Sequence, residues 1–280
     1  MSVTGAAREP RRLTADDIPA CSALGMTRGW APETVKWKLM LTIGEGWGVD
    51  DPDGGLAAVV TIVRFAPAIA VIGMMIVRES RGRMGLGRLL MEHALRVAHP
   101  DTVFLYASSM GRPLYERLGF APSAALTRHF GRWTCTKLGR ASNIDPVDTD
   151  RVIAIDREAF GADRSAWITA LLALAARTAV VERDGRILGF GIAWRNVDRV
   201  QVGPVIAQDE GTARSIILTL APGHDVPIRI DLAGCWSGLS GWLQECGLEA
   251  FPHDPQMVLG GASLPGDRSR IVTLACGATG

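Results

Sequence analysis

Residues 74 to 91 read Met74-Met75-Ile76-Val77-Arg78-Glu79-Ser80-Arg81-Gly82-Arg83-Met84-Gly85-Leu86-Gly87-Arg88-Leu89-Leu90-Met91. An apolar, strand-like run enters a turn rich in glycine and arginine, and the turn opens a helical run. Chemically this is an anion cradle. Glycine lets the backbone approach a phosphate closely, and the free N–H groups of a helix start point at it with the positive end of the dipole. Arginines on either side can add charge-assisted bonds. Other phosphate loops fit less well. The chain has no Gly-x-x-x-x-Gly-Lys-Ser/Thr, and glycines at 82, 85 and 87 do not match Gly-x-Gly-x-x-Gly. No acidic residue ends the next strand, where a dinucleotide fold would place one.

A second constellation follows that strand: Ala107-Ser108-Ser109-Met110-Gly111-Arg112-Pro113-Leu114-Tyr115-Glu116-Arg117-Leu118-Gly119-Phe120. Together the two segments resemble the GNAT acetyltransferase superfamily. The family's pyrophosphate loop runs Gln or Arg, two residues, Gly, one residue, then Gly or Ala, and here Gly85 and Gly87 match its last two fixed positions. Its first position falls on Gly82, with Arg81 one place early. Leu114 to Phe120 is similar to the family's Leu-Tyr-x-x-x-Gly-Phe ending. The resemblance covers residues 10–136 well and residues 145–265 as a degenerate second copy.

The resemblance implies an α/β (α+β) fold of two tandem GNAT-like domains. Each is a mixed, mostly antiparallel twisted sheet flanked by helices, with a splay between its fourth and fifth strands. It implies acetyl-CoA as cosubstrate, the backbone of Met75, Ile76 and Val77 pairing with the pantetheine arm, and one N–H there acting as oxyanion donor. Arg83, Met84, Gly85, Leu86, Gly87 and Arg88 would take the pyrophosphate. Tyr115 falls at the family position of the general acid that protonates the departing thiolate; the alternative for it is a packing tyrosine on a short helix. The general base is open among Glu33, Glu45, Glu79 and a water chain leading to one of them. His93 and His129 have no partner at a spacing that suggests catalysis, and no cysteine has the setting of a nucleophile.

The elements that must position these groups can be read from periodicity. Helical spacing covers residues 16–28 and 33–41, with Trp30-Ala31-Pro32 as the break between them. Strands are expected at 47–49, 56–65 and 69–77, an amphipathic helix at 84–98, a buried strand at 102–107 and a short helix at 112–118. The second half repeats this order. Asp184-Gly185 lies 130 positions after Gly54-Gly55, Gly203 lies 130 after Gly73, and Gly247-Leu248 lies 128 after Gly119-Phe120. Its elements are expected at 178–182, 186–193, 200–207, 210–220, 228–232 and 238–246.

The second copy has changed the residues that matter. Gln208-Asp209-Glu210-Gly211 stands where the glycine-arginine loop was, and Leu243 stands at the position of Tyr115. The expectation is therefore a catalytic domain over residues 1–140, holding acetyl-CoA, and a degenerate domain over 141–280. The second would complete the acceptor pocket or serve as structural support. Asp156, Asp163, Arg164 and Asp231 are its candidate pocket residues, with Asp163 and Asp231 expected to favour a cationic amine.

Composition narrows the classes. Apolar residues make up 48% and charged residues 21% of the 280, enough for a packed core. The net charge of +1 divides into 18 Lys and Arg against 12 Asp and Glu in residues 1–140, which is +6, and 12 against 17 in 141–280, which is −5. A nucleic-acid partner is not expected from that balance. Five cysteines without C-x-x-C pairing argue against a zinc ribbon or a disulfide framework, and no metal is expected. No apolar run approaches the length of a membrane helix, and the first residues have no apolar core of a signal peptide, so a cytoplasmic protein is expected, as monomer or homodimer. The function expected is transfer of an acetyl group from acetyl-CoA to the amine of a small molecule. The alternatives are a protein or peptide amine as acceptor, or an acyl-CoA-binding sensor without turnover.

Overall fold

The structure is a computed structural model that describes residues 9–98, 102–260 and 263–279. The first half runs β1 (Arg11–Leu13), α1 (Ile18–Met26), α2 (Thr34–Ile43), β2 (Glu45–Asp50), β3 (Leu56–Phe65), β4 (Ile69–Val77), α3 (Leu86–Ala98), β5 (Thr102–Tyr106), α4 (Arg112–Arg117) and β6 (Phe120–Gly131). The second half runs α5 (Thr149–Phe160), α6 (Ser165–Leu174), β7 (Ala175–Arg183), β8 (Arg186–Asn196), β9 (Arg199–Ala207), α7 (Glu210–Leu220), β10 (Ile228–Ala233), α8 (Leu239–Glu245), β11 (Leu248–Leu259) and β12 (Ile271–Thr273).

Local chemistry sets the boundaries. Asp17 accepts from the Thr14 backbone N–H at 2.8 Å just ahead of α1, closing the chain entry as a capping box does. Gly161, at φ 82°, ends α5 in the left-handed conformation that favours glycine. β3 is buried on both faces over most of its length, which is why it reads as a continuous apolar run and not as an alternation. Val59 and Val63 face the helices α1 and α2, while Ala58, Val60 and Ile62 face Leu86, Leu90, Met91 and Ala94 along α3.

Among the described residues twelve strands form one sheet in the order β1-β2-β3-β4-β5-β11-β6-β10-β12-β9-β8-β7. The pairings are antiparallel except β4 with β5 and β9 with β10. The centre of the sheet is an exchange. β6 of the first half pairs with β10, and β11 of the second half pairs with β5, while β6 and β11 pair with each other. One core cluster accordingly spans both halves, joining Trp37 and Phe65 to Phe160, Trp167 and Trp194.

β3, β4 and α7 have the bounds expected from the sequence. α3 begins at Leu86, two residues later than expected, because Arg83 and Gly85 take left-handed backbone angles that no helix contains. Local periodicity did not reveal β1, β6, β11 or β12. No helix among the described residues is long and apolar enough to cross a membrane.

Candidate active site

β4 and β5 pair from Ile69 with Thr102 to Ile72 with Leu105, and the pairing then stops. On its other edge β4 stays paired with β3 as far as Val77, through a bulge. Thr61 opposes Gly73 and Val59 opposes Ile76, so Met74 and Met75 together stand against Val60. Met74 takes φ 49°, a conformation that costs a non-glycine residue about 1–2 kcal/mol. Beyond Ile72, then, β4 presents an edge that β5 has left. Met75, Ile76 and Val77 lie on that stretch, and Gly73, Met74 and Met75 line a cleft of about 380 Å³.

The glycine-arginine loop runs from the end of β4 to α3. Asp51, buried in the turn before β3, lies 3.0 Å from Arg78 Nε and 2.7 Å from Arg81 Nη2. Arg81, reinforced by the Asp53 backbone N–H, holds the Asp51 carboxyl down to about 2. Arg81 is therefore a strut within the protein. The loop beyond it is exposed: Arg83 at φ 59° and Gly85 at φ 79° turn the chain into α3. Gly85 has open space around its Cβ direction, whereas Gly87 packs against Met75, Val77 and Leu114, pinning the helix start to the open edge of β4. Arg88 is exposed and pairs with Glu92 at 2.7 Å. Met84 is exposed, and Leu86 turns inward to anchor the loop in the core. The groups suited to an anion here are the first amides of α3, with Arg83 and Arg88 exposed nearby.

Tyr115 lines the same cleft from α4. Its ring lies over Gly111, where a Cβ would stand 2.8 Å from the ring carbon Cε2, and it meets Phe120 edge-on at 6.2 Å. Of the three candidate bases only Glu33 lines the cleft. It is buried, pairs with Lys36, and accepts from Asn196 Nδ2 of the second copy at 3.1 Å. Glu45 pairs with Arg64 and Arg12 away from the cleft, and Glu79 is exposed. Burial pushes the thiols of Cys21 and Cys246 up to about 12, which keeps them protonated. His93 packs on Trp47 at 4.3 Å, and His129 is buried with its Nε2 against Ser240 Oγ at 2.8 Å. Neither lines the cleft.

The second copy supplies most of the far wall, with β6 of the first half adding Arg128, though not through the carboxylates expected from the sequence. Asp163 does not line the cleft. It accepts from the Ser165 N–H at 2.8 Å and pairs with Arg157 at 2.8 Å, ordering the start of α6. Asp156 and Arg164 form a buried pair at 2.6 Å, with Arg164 stacked on Phe160. Asp231 is fully buried behind the cleft, accepting from Arg229 at 3.0 Å and 2.9 Å. The residues that do line the wall are Arg128, Arg199, Arg229, Gly277 and Ala278. These come from separate strands and from the segment after β12, and no local sequence signal groups them.

The corresponding splay of the second copy is filled by its own chain. β9 and β10 pair at Val200 with Ile228 and at Gln201 with Arg229, and then part. β12 enters the gap and pairs with both. Thr273 Oγ1 donates to the Val202 carbonyl at 3.0 Å, Gln201 Nε2 to that of Leu274 at 3.3 Å, and the Leu274 N–H to that of Asp231 at 3.0 Å. A bulge recurs, since Gly191 opposes Val205 and Ala193 opposes Val202, which sets Gly203 and Pro204 against Ile192; Pro204 is its second residue, as Met75 is in the first copy, and offers no N–H. At α7, Asp209 caps the helix, accepting from the Thr212 N–H at 2.7 Å. A carboxylate of the chain itself thus sits where a phosphate would.

Two family models, each described as an acetyltransferase (GNAT) domain, match residues 53–132 and 152–273. Among curated proteins, the uncharacterized N-acetyltransferase YitH of Bacillus subtilis is 27% identical over 235 residues, which is 81% of this chain and 83% of YitH. Among solved structures, a putative acetyltransferase from Pyrococcus horikoshii superposes with a TM-score of 0.79 at 19% identity, covering 100% of this chain and 98% of its own. A tandem GNAT protein from the clavulanic acid biosynthesis pathway superposes with a TM-score of 0.64 at 16% identity, over 92% of this chain and 99% of its own.

Proposed function

Since the chain belongs to the GNAT acetyltransferase superfamily, as an acyltransferase with two such domains in tandem, we propose that its first domain transfers an acetyl group from acetyl-CoA directly to the amine of a small molecule. The observation that carries this reading is the open edge of β4, which leads from the loop at Gly85 into the cleft that Tyr115 and Glu33 line.

The residues present fit acetyl-CoA. The left-handed, uncrowded Gly85 and the first amides of α3 suit a diphosphate, with Arg83 and Arg88 adding charge. Met84 and Leu86 complete that loop, and Met75, Ile76 and Val77 offer the edge to an amide-bearing arm. Acetyl-CoA supplies an activated acyl carbon at a thioester. Glu33 takes the proton that the acceptor nitrogen gives up as its N–C bond forms, and Tyr115 gives a proton to the sulfur as the C–S bond breaks. The proton lost by nitrogen and the one gained by sulfur balance, and the tyrosine is restored through the cleft. The second domain, with β12 in its splay and Asp209 on its helix start, acts as wall and support.

A cleft of about 380 Å³ suits a small acceptor better than a peptide chain. The test is Tyr115→Phe in a thiol-release assay with acetyl-CoA over a panel of amines. The expected result is a loss of kcat by about 100-fold with acetyl-CoA binding unchanged. An unchanged kcat would remove Tyr115 from the chemistry, and tight CoA binding with no release across the panel would favour a sensor.

A further inference from the structure

The far wall of the cleft is basic, and its charge comes from both copies. Arg128 stands on β6, Arg199 on β9 and Arg229 on β10, and all three line the cleft. Arg229 is held in place by the buried Asp231, which meets it through two of its nitrogens. The same carboxylate lies 4.0 Å from Arg128 Nε, so one buried acid serves two guanidiniums. Arg199 pairs at 2.9 Å with Asp198, which is itself exposed. Lys36 adds a fourth cation. Among the described residues Glu33 is the one acid that lines the cleft.

A wall of this kind repels a polyamine. Guanidiniums fixed from behind are suited to carboxylate or phosphate, because the planar fork matches the two oxygens and needs little further ordering. Glu33, on the α1–α2 side of the cleft, is suited to the opposite end of such a molecule. We propose that the acceptor is an amine that also carries an acid group, a carboxylate or a phosphate, with Arg199 and Arg229 holding the acid and Glu33 the amine. This assignment rests on the acyltransferase reading of the first domain. It reverses the expectation drawn from Asp163 and Asp231, since one lies elsewhere and the other serves to orient arginines.

The test pairs each L-amino acid with the amine that lacks its carboxylate, and O-phosphoethanolamine with ethanolamine, in the thiol-release assay. In parallel, the N-acetyl derivatives of the same compounds are titrated into the CoA-loaded protein, with tryptophan fluorescence as readout. For at least one pair, the acid-bearing member is expected to exceed its partner at least tenfold in kcat/KM or affinity. The carboxylate and phosphate arms tell the two acids apart. Arg199→Gln, whose lost partner Asp198 is exposed, should raise the acceptor KM at least tenfold while the acetyl-CoA KM stays within twofold. Arg229→Lys, which keeps a charge opposite Asp231, should do the same. Amines that equal or exceed their acids, a preference for polyamines, or no recognition of any acid in either assay would overturn the assignment. Failure of acetyl-CoA itself to bind is a separate result, and it would bring down the acyltransferase site on which the assignment depends.

Discussion

Gly73 and Ala278 meet backbone to backbone: a Cβ added to Gly73 would stand 2.8 Å from the Ala278 carbonyl oxygen and 2.9 Å from its Cα. The segment after β12 thus rests on β4 at the point where the first splay opens. Backbone cannot swing aside as a side-chain tip can. Gly73→Ala is expected to cost about 1–3 kcal/mol in urea unfolding and to raise the acceptor KM, because Gly277 and Ala278 line the cleft. A variant as stable as the parent would mean that the contact is loose.

Asp51 fixes the loop through Arg78 and Arg81, and its carboxyl is held down to about 2. In an unfolded chain a carboxyl titrates near 3.9. A value depressed by folding contributes stability above the unfolded pKa, and that contribution is lost as pH falls through the folded one. The advantage of the parent over Asp51→Asn should therefore be full at pH 6, shrink below about pH 4 and vanish near pH 2. Unfolding curves at several pH values check this, and a pH-independent difference would contradict it. The acetyl-CoA KM should also rise, since the loop loses its strut.

Asp156 and Arg164 are both buried and joined by two hydrogen bonds, at 2.6 Å and 2.9 Å. Asp156→Ala removes the carboxylate that meets the buried guanidinium of Arg164 and should cost about 3–5 kcal/mol, whereas Asp156→Leu combined with Arg164→Met should recover most of that loss. Denaturant titration of the three proteins gives the comparison. Equal losses in the single and double variants would show that packing, not charge, sets the energy.

Glu33 is held by Asn196 from the other copy. Glu33→Gln should lower kcat by about 100-fold or more while leaving acetyl-CoA binding intact. Asn196→Ala should give a smaller loss of the same kind. An unaffected kcat would leave Glu33 as a binding group only.

Calorimetric titration should find one equivalent of CoA per chain. The backbone groups inside the second splay are already engaged by residues 271–274, and the start of α7 is capped by Asp209. A second equivalent would require that segment to leave.

What the sequence discloses here is what depends on neighbours in the chain. The limits of β3 and β4 and the loop at Gly85 follow from local composition and spacing, and the Tyr115 motif is legible through its resemblance to the family's ending. β2 runs three residues longer than expected, from Glu45 to Asp50, and α3 starts two residues late where the turn at Arg83 and Gly85 intrudes. Asp231 was recognisable as important, but its role was not, because Arg128 stands a hundred residues away and its proximity depends on strands exchanged between the halves. The filling of the second splay is hidden for a similar reason. Ile271 to Thr273 is too short a run to announce a strand, and only the gap between β9 and β10 gives it a partner.

The exchange of β6 and β11 gives the chain the form of a symmetric dimer whose two subunits share one polypeptide. In a true homodimer every substitution appears twice, so neither site can change without the other. Covalent fusion lifts that restriction. One half can surrender its slot to its own strand and turn its arginines toward the neighbour's cleft, while the other half keeps the slot open. The joined sheet also ties the two together: severed near residue 140, each half would expose the edge of β5 or β10 that its sister strand now covers. Specialisation of one half and dependence on the other are two results of the same crossing of strands.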